Sequence, residues 1–320
     1  MLSSVPHFLH GVTTLRTGFE VALGLPLITI REPTKSGDVS MRNLFAWPLV
    51  LCCPAVAFAQ INYSTSGSTY SQDFNTLIQT GTNQAWSNNT TLPGWFLYRQ
   101  PAPGTDITTY NAGTGSSNTG NFYSFGSSST STERSLGGIG SGGAYFGTPA
   151  TGSVAGWIAV GLTNGTGGAL SSLTINYNGE QWRDGGATTP NAQTMVLEYG
   201  FGASFTAVPT WTPAGASFNF TSPVFVNTGA GAALDGNTAG FVGGLGGTLS
   251  TTWNAGDTLW IRFVETNDPG NDHGLSIDDF SFSAVTASVP EPTSIALVGA
   301  TLAGAGIAVY RRRRAMARLL

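Results

Sequence analysis

Between residues 60 and 287 hydrophobic positions alternate with polar ones over short runs, and glycine, asparagine and proline break the runs. Leu173-Thr174-Ile175-Asn176-Tyr177 alternates with a period of two, and Asn178-Gly179 behind it predicts a turn. Met195 to Tyr199, Gly156 to Gly161 and Phe218 to Phe220 predict further strands. The cleanest pattern is Leu259 to Glu265. There Leu259, Ile261 and Phe263 fall on one face, with Trp260, Arg262 and Val264 on the other. Leu275 to Phe282 predicts a closing strand and Tyr70 to Leu77 an opening one. Away from the chain ends no window carries a helical stripe. Many strands joined by glycine-rich turns predict an all-β fold, a single jelly-roll-like β-sandwich whose opening and closing strands pair. A propeller or β-helix needs a regular repeat, and the glycine-rich pieces recur irregularly. Asn111 to Thr132 predicts a long surface loop or two ragged edge strands, because Phe122, Tyr123 and Phe125 interrupt its polar tract.

The pattern changes at both ends. Met41-Arg42-Asn43 is a short cationic start, Leu44 to Val56 is apolar, and Ala57-Phe58-Ala59 is an A-x-A cleavage signature before Gln60. Residues 41–59 therefore predict a signal peptide, helical in its apolar part. Residues 1–40 have mixed charge and no period. They predict an upstream extension, with translation starting at Met41, or else an extended n-region. At the other end Val289-Pro290-Glu291-Pro292 is extended, since proline fixes its own φ and restricts its predecessor. Residues 294–310 are uncharged and near the shortest length that spans a bilayer as a helix. Arg311, Arg312, Arg313 and Arg314 follow, within a basic tail at 311–320 that holds this end on the cytoplasmic side.

This succession of Pro-Glu-Pro, apolar span and arginine cluster resembles the PEP-CTERM sorting signal over 288–320. The resemblance implies exosortase as a partner. It also implies an inner-membrane intermediate anchored through 294–310, then delivery to the cell surface or extracellular matrix. It says nothing of what residues 60–287 do.

Composition narrows that question. Between Gln60 and Val289 nine aspartates and four glutamates face only Arg99, Arg134, Arg183 and Arg262. A body this acidic, without lysine, has no basic patch for a phosphate backbone, which excludes nucleic acid as a partner. Cys52 and Cys53 lie in the apolar run before Gln60, so a processed chain has neither a disulfide nor a thiol nucleophile. His273 is the only histidine beyond residue 10, so a histidine zinc site is excluded, and no G-x-S-x-G elbow is present. The body reads as non-catalytic. A glycan hydrolase needs only two carboxylates, and Glu133, Glu180, Glu198 and Glu265 leave that alternative standing.

Two stretches carry candidate binding chemistry. In Gly179-Glu180-Gln181-Trp182-Arg183 an indole can stack on a sugar while Glu180 and Arg183 bond hydroxyls. The alternative is Trp182 in the core beside a buried Glu180–Arg183 or Glu133–Arg134 ion pair. Trp86, Trp95 and Trp211 share that ambiguity. In Asn267-Asp268-Pro269-Gly270-Asn271-Asp272-His273 the oxygens suit calcium, with Asp278 and Asp73 as further ligands, or else form a solvated turn. No cofactor is required, and a structural calcium is the one this set invites.

Further pieces, Gln72-Asp73-Phe74-Asn75-Thr76-Leu77, Leu92-Pro93-Gly94-Trp95, Glu133-Arg134-Ser135-Leu136-Gly137 and Gly179-Glu180-Gln181-Trp182-Arg183, stand in order before His273-Gly274-Leu275-Ser276-Ile277-Asp278-Asp279-Phe280. Together they resemble secreted bacterial PEP-CTERM bodies with lectin-like sandwich character, and Ile277 to Phe280 is similar to the last strand of many carbohydrate-binding jelly rolls. The resemblance carries no activity over to these residues. The sorting tail and the acidic, aromatic-bearing body together point to a non-catalytic domain that binds extracellular polysaccharide. A structural matrix component without a specific ligand is the alternative.

Overall fold

The computed structural model describes residues 60–286 and five helical, exposed or surface residues near the C-terminus, Ile307, Ala308, Arg311, Arg312 and Arg314. The expected signal helix with Ala57 and Ala59 lies outside the described residues. So do Pro290, Glu291, Pro292, Arg313 and most of the span at 294–310. Among the described residues no helix is long and apolar enough to cross a membrane.

The first half of the body holds β1 (Ile61–Tyr63), β2 (Thr69–Gln72), β3 (Gln84–Ala85), β4 (Trp95–Arg99), β5 (Thr105–Asp106), β6 (Thr109–Gly113), β7 (Asn121–Phe125) and β8 (Ser135–Ile139). Long strands follow, β9 (Val154–Asn164), β10 (Leu170–Asp184) and β11 (Thr194–Phe201). After the short β12 (Thr212–Pro213), β13 (Phe220–Thr221) and β14 (Ala232–Ala233) come β15 (Phe241–Trp253), β16 (Thr258–Thr266) and β17 (Gly274–Val285). Eight strands form one sheet, in the order β12-β11-β16-β9-β4-β5 with β1 on β9 and β13 on β11. Nine form the other, β14-β10-β17-β8-β7-β6-β3 with β15 on β10 and β2 on β17.

The two sheets share one core, because alternate residues of each turn inward. Leu97, Ile158, Ile261 and Phe263 come from the first sheet, and Leu136, Ile175, Ile277 and Phe280 from the second. Rings meet across the gap, Tyr177 on Phe263 at 5.0 Å and Trp95 on Phe280 at 5.2 Å. The expected split of β16 is present. Leu259, Ile261 and Phe263 face the shared core, and Trp260 and Val264 join an apolar cluster on the outer side. Opening and closing strands pair, with Tyr70 opposite Phe282.

Three expectations change. Asn178-Gly179 is no turn, because β10 runs through it with a register irregularity between Tyr177 and Gly179. Glycine is needed there for close approach, since a Cβ would stand 2.3 Å from the Phe220 ring. The opening strand stops at Gln72, where Asp73 Oδ1 accepts the Asn75 N–H in an Asx turn. Phe218 ends a 3-10 turn (Ala216–Phe218), and only Phe220–Thr221 pairs as a strand.

Candidate functional site

Strand β10 is the spine of the larger sheet, and its pairing with β17 is irregular between Gln181 and Arg183. A bulge sets a residue out of the ladder and re-aims its neighbours. Trp182 thereby packs with Tyr123, Phe125 and Ile139 in a small cluster apart from the shared core. Phe122 and Leu136 face that core, so their alternating neighbours Tyr123 and Ile139 face outward. Trp182 stacks on Phe125 at 6.0 Å and 8°. Its indole N–H lies among Ser135 Oγ (2.9 Å), Glu180 Oε2 (3.1 Å) and Ser276 Oγ (3.1 Å).

Trp182 is wholly buried, as the alternative of a packed tryptophan had it, and offers no stacking face to a sugar. The covering layer is the segment before β15. Leu234 N–H donates to the Trp182 carbonyl at 2.8 Å, and a Cβ on Gly236 would stand 2.4 Å from the indole. Glu180 and Arg183 are buried too, but no Glu180–Arg183 ion pair forms. Their head groups go opposite ways.

Glu180 goes to the carboxylates. Oxygens of Glu133, Glu180 and Asp278 all lie within 4.8 Å of one another. Three elements supply them, the turn before β8, then β10 and β17. Burial pushes Glu180 up to about 7, against a hydrogen bond from Ser135 and with help from the charge of Glu133. Burial, and then the charge of Glu180, push Asp278 up to about 9. Glu133 Oε2 accepts the Asn237 amide at 2.7 Å, while its Oε1 is buried without a partner. Such a cluster at neutral pH holds either protons or a cation. Oxygens within that reach of one another can share one ion with Ca–O bonds of about 2.4 Å.

The expected calcium set is not brought together. Of Asp73, Asp268, Asp272 and Asp278, only Asp278 belongs to the three-carboxylate group. Asp73 is exposed in its Asx turn. Asp272 Oδ1 instead accepts the Asp268 N–H at 2.6 Å, which closes the loop on itself. Neither Glu133 nor Glu180 was expected beside Asp278. The partnership of Glu133 rests on β8 lying beside β17, a long-range pairing with no local signal.

Arg183 goes the other way. Its Nη1 donates to the carbonyls of Gly115 (3.0 Å) and Ser116 (3.3 Å). It lines a cavity of about 310 Å³ together with Asn118, Ser141, Asn271 and Asp272. His273 is buried nearby. Its Nδ1 accepts the Gly185 N–H at 2.8 Å, leaving Nε2 for the Asn191 carbonyl at 3.1 Å. A triad needs Nδ1 as a donor to a carboxylate, so this ring is set up as a loop fastener.

The outer face of the smaller sheet is aromatic. Phe96, Tyr98, Trp157 and Trp260 lie under Phe205 and Trp211, with Phe205 stacked on Tyr98 at 4.1 Å. Arg262 sits 3.9 Å from the Trp211 ring and 5.2 Å from the Trp157 ring, and it pairs with Glu198 at 2.5 Å. Trp86 and Trp95 are buried in the shared core, whereas Trp211 is partly exposed.

Residues 288–314 match the PEP-CTERM protein-sorting motif. That motif marks an exported protein, processed at the membrane with exosortase as the processing partner and sorted to the cell surface. No curated protein matches the chain in sequence. Among solved structures the body is similar to the CBM22-1 xylan-binding domain of Paenibacillus barcinonensis Xyn10C, with 10% identity and a TM-score of 0.33 over 70% of this chain and 99% of that one. The CBM22-1-CBM22-2 tandem of the same protein gives 11% identity and 0.35, over 72% of this chain and 48% of that one. The Agl-KA catalytic domain gives 12% and 0.26, over 72% and 30%. At TM-scores this low neither ligand nor activity transfers.

Proposed function

We propose that this chain is an exosortase-sorted surface or matrix protein whose jelly-roll-like sandwich binds polysaccharide without cleaving it. The observation that carries this reading is the cavity of about 310 Å³ beside β10. Its size is at the lower end of small-molecule sites. Amide, hydroxyl, carboxyl and guanidinium groups converge on it from Asn118, Ser141, Asn271, Asp272 and Arg183. Planar groups of this kind recognise sugar hydroxyls by paired hydrogen bonds. In the same reading calcium is structural and is held by Glu133, Glu180 and Asp278, with the loop aspartates left out.

Affinity electrophoresis of the full chain against a panel of neutral and acidic polysaccharides tests the binding. Retardation on at least one polymer, with no release of reducing ends, is the expected result. No retardation on any polymer would sink the reading. Hydrolysis is the second reading, since oxygens of Glu133 and Glu180 lie within 4.8 Å of each other and glycoside hydrolysis needs two carboxylates. Turnover that Glu180→Gln abolishes would replace binding by catalysis.

A further inference from the structure

Two buried arginines stand on the larger sheet, and they treat their guanidinium groups differently. Arg134 is wholly buried and uses its whole fork. Its Nε donates to Ser124 Oγ at 2.9 Å, Nη1 to the Ser128 carbonyl at 3.3 Å, and Nη2 to the Ser124 carbonyl. Arg183 is 7% exposed and uses Nη1 alone. Among the described residues its Nε and Nη2 have no hydrogen-bond partner, and no carboxylate lies within ion-pair distance of it. Asp184, next in the chain, is committed elsewhere. Its Oδ2 accepts the Val226 and Asn227 N–H groups and its Oδ1 accepts that of Gly186.

Neither nitrogen is sealed from solvent, so the mostly buried cation keeps an open edge, without a counter-charge, that a ligand in the cavity can complete. The Nε–H and Nη2–H bonds of a guanidinium run parallel along one edge, and that edge fits a carboxylate with two hydrogen bonds. The Nη2 end lies against Gly231, which lines the cavity described above.

Resting on the polysaccharide-binding reading, we infer that the cavity is a carboxylate subsite, where the free edge of Arg183 takes the carboxyl group of a uronic acid unit in an acidic polysaccharide. Asn118, Ser141 and Asn271 bond the hydroxyls of the same ring. Asp272 is the apparent obstacle, an acid in an anion site. Burial pushes its carboxyl up to about 7, so near neutral pH a large share of it is uncharged and able to donate.

Isothermal titration of the full chain in mild detergent tests this with an oligogalacturonate, its methyl ester and dextran sulfate. The expected result is an affinity for the free acid about tenfold or more above that of the ester, the scale of one charge-assisted pair. Arg183→Gln should bring the acid down to the level of the ester, so that the acid-to-ester ratio falls to about one. Arg183→Lys, which keeps the charge and loses the fork, should fall between. The acid-to-ester ratio on the unaltered chain needs no variant, so a misfolded Arg183→Gln leaves the test intact. Equal affinity for acid and ester would overturn the subsite while the polysaccharide reading survives. Dextran sulfate competing as well as the uronate would overturn the carboxylate assignment. Binding of none of these, nor of any polymer of the panel, removes both.

Discussion

The outer faces of the two sheets handle charge in opposite ways. On the smaller sheet Arg262 is closed off by Glu198 and pressed between Trp211 and Trp157. On the larger sheet, among the described residues, charge stays open on both sides of Trp182, with three clustered carboxylates that form no ion pair with an arginine and with Arg183 keeping a free edge. A paired and stacked ion is a fastener. An unpaired one is a cost to the fold that a ligand relieves.

Trp182 separates the open charges, so removing it is the hardest blow to the comparison. Trp182→Ala deletes a fully buried indole and unseats the segment at Leu234 and Gly236. The expected loss is about 3–5 kcal/mol, read as a lower urea midpoint. Trp211→Ala, at a partly exposed ring, should cost less than half of that. Equal losses would mean that Trp182 is no more structural than the aromatic strap on the other face.

The carboxylate side is broken by pH. Glu180 and Asp278 have folded values of about 7 and about 9, above their ordinary ones. The folded state therefore binds more protons than the unfolded chain. Their stabilising contribution is complete below the ordinary carboxylate range and is lost as pH rises through 7 and then 9. The melting temperature should fall from pH 5 to pH 9. Asp278→Asn should flatten that slope, which separates this cluster from Asp272 and Glu265, whose burial pushes them the same way. Millimolar calcium should restore the lost stability at the alkaline end by linkage. A flat response to calcium, with the slope still present, leaves the cluster holding protons only.

The strands were legible because their signals are local. The alternation in Leu259 to Glu265 places Ile261 inward and Trp260 outward without any knowledge of neighbours. The candidate site was legible residue by residue but not as an assembly. Glu180, Arg183, Asp272 and Asp278 were all singled out, yet into the wrong groups. The grouping depends on the bulge at Gln181/Arg183 and on β8 lying beside β17. Neither leaves a trace in periodicity. Burial of Trp182 was among the readings, but the layer over it was not, since that layer comes from a glycine-rich segment downstream that reads as plain loop.

The smallest expected effect is the most telling, because it sets one arginine against another. Arg262→Met strands Glu198 in a mostly buried position and removes the cation from two indole faces. It should cost about 2 kcal/mol. Arg183→Met gives up two hydrogen bonds to the Gly115 and Ser116 carbonyls but also removes an uncompensated buried charge. Those terms oppose each other, so the net loss should be about 1 kcal/mol or less. Urea denaturation of both variants, without ligand, measures the difference. If Arg183→Met unfolds the chain as readily as Arg262→Met does, Arg183 is a fastener like its counterpart. Its unfilled edge would then have no ligand to explain it, and the contrast between the two faces would fail where it is sharpest.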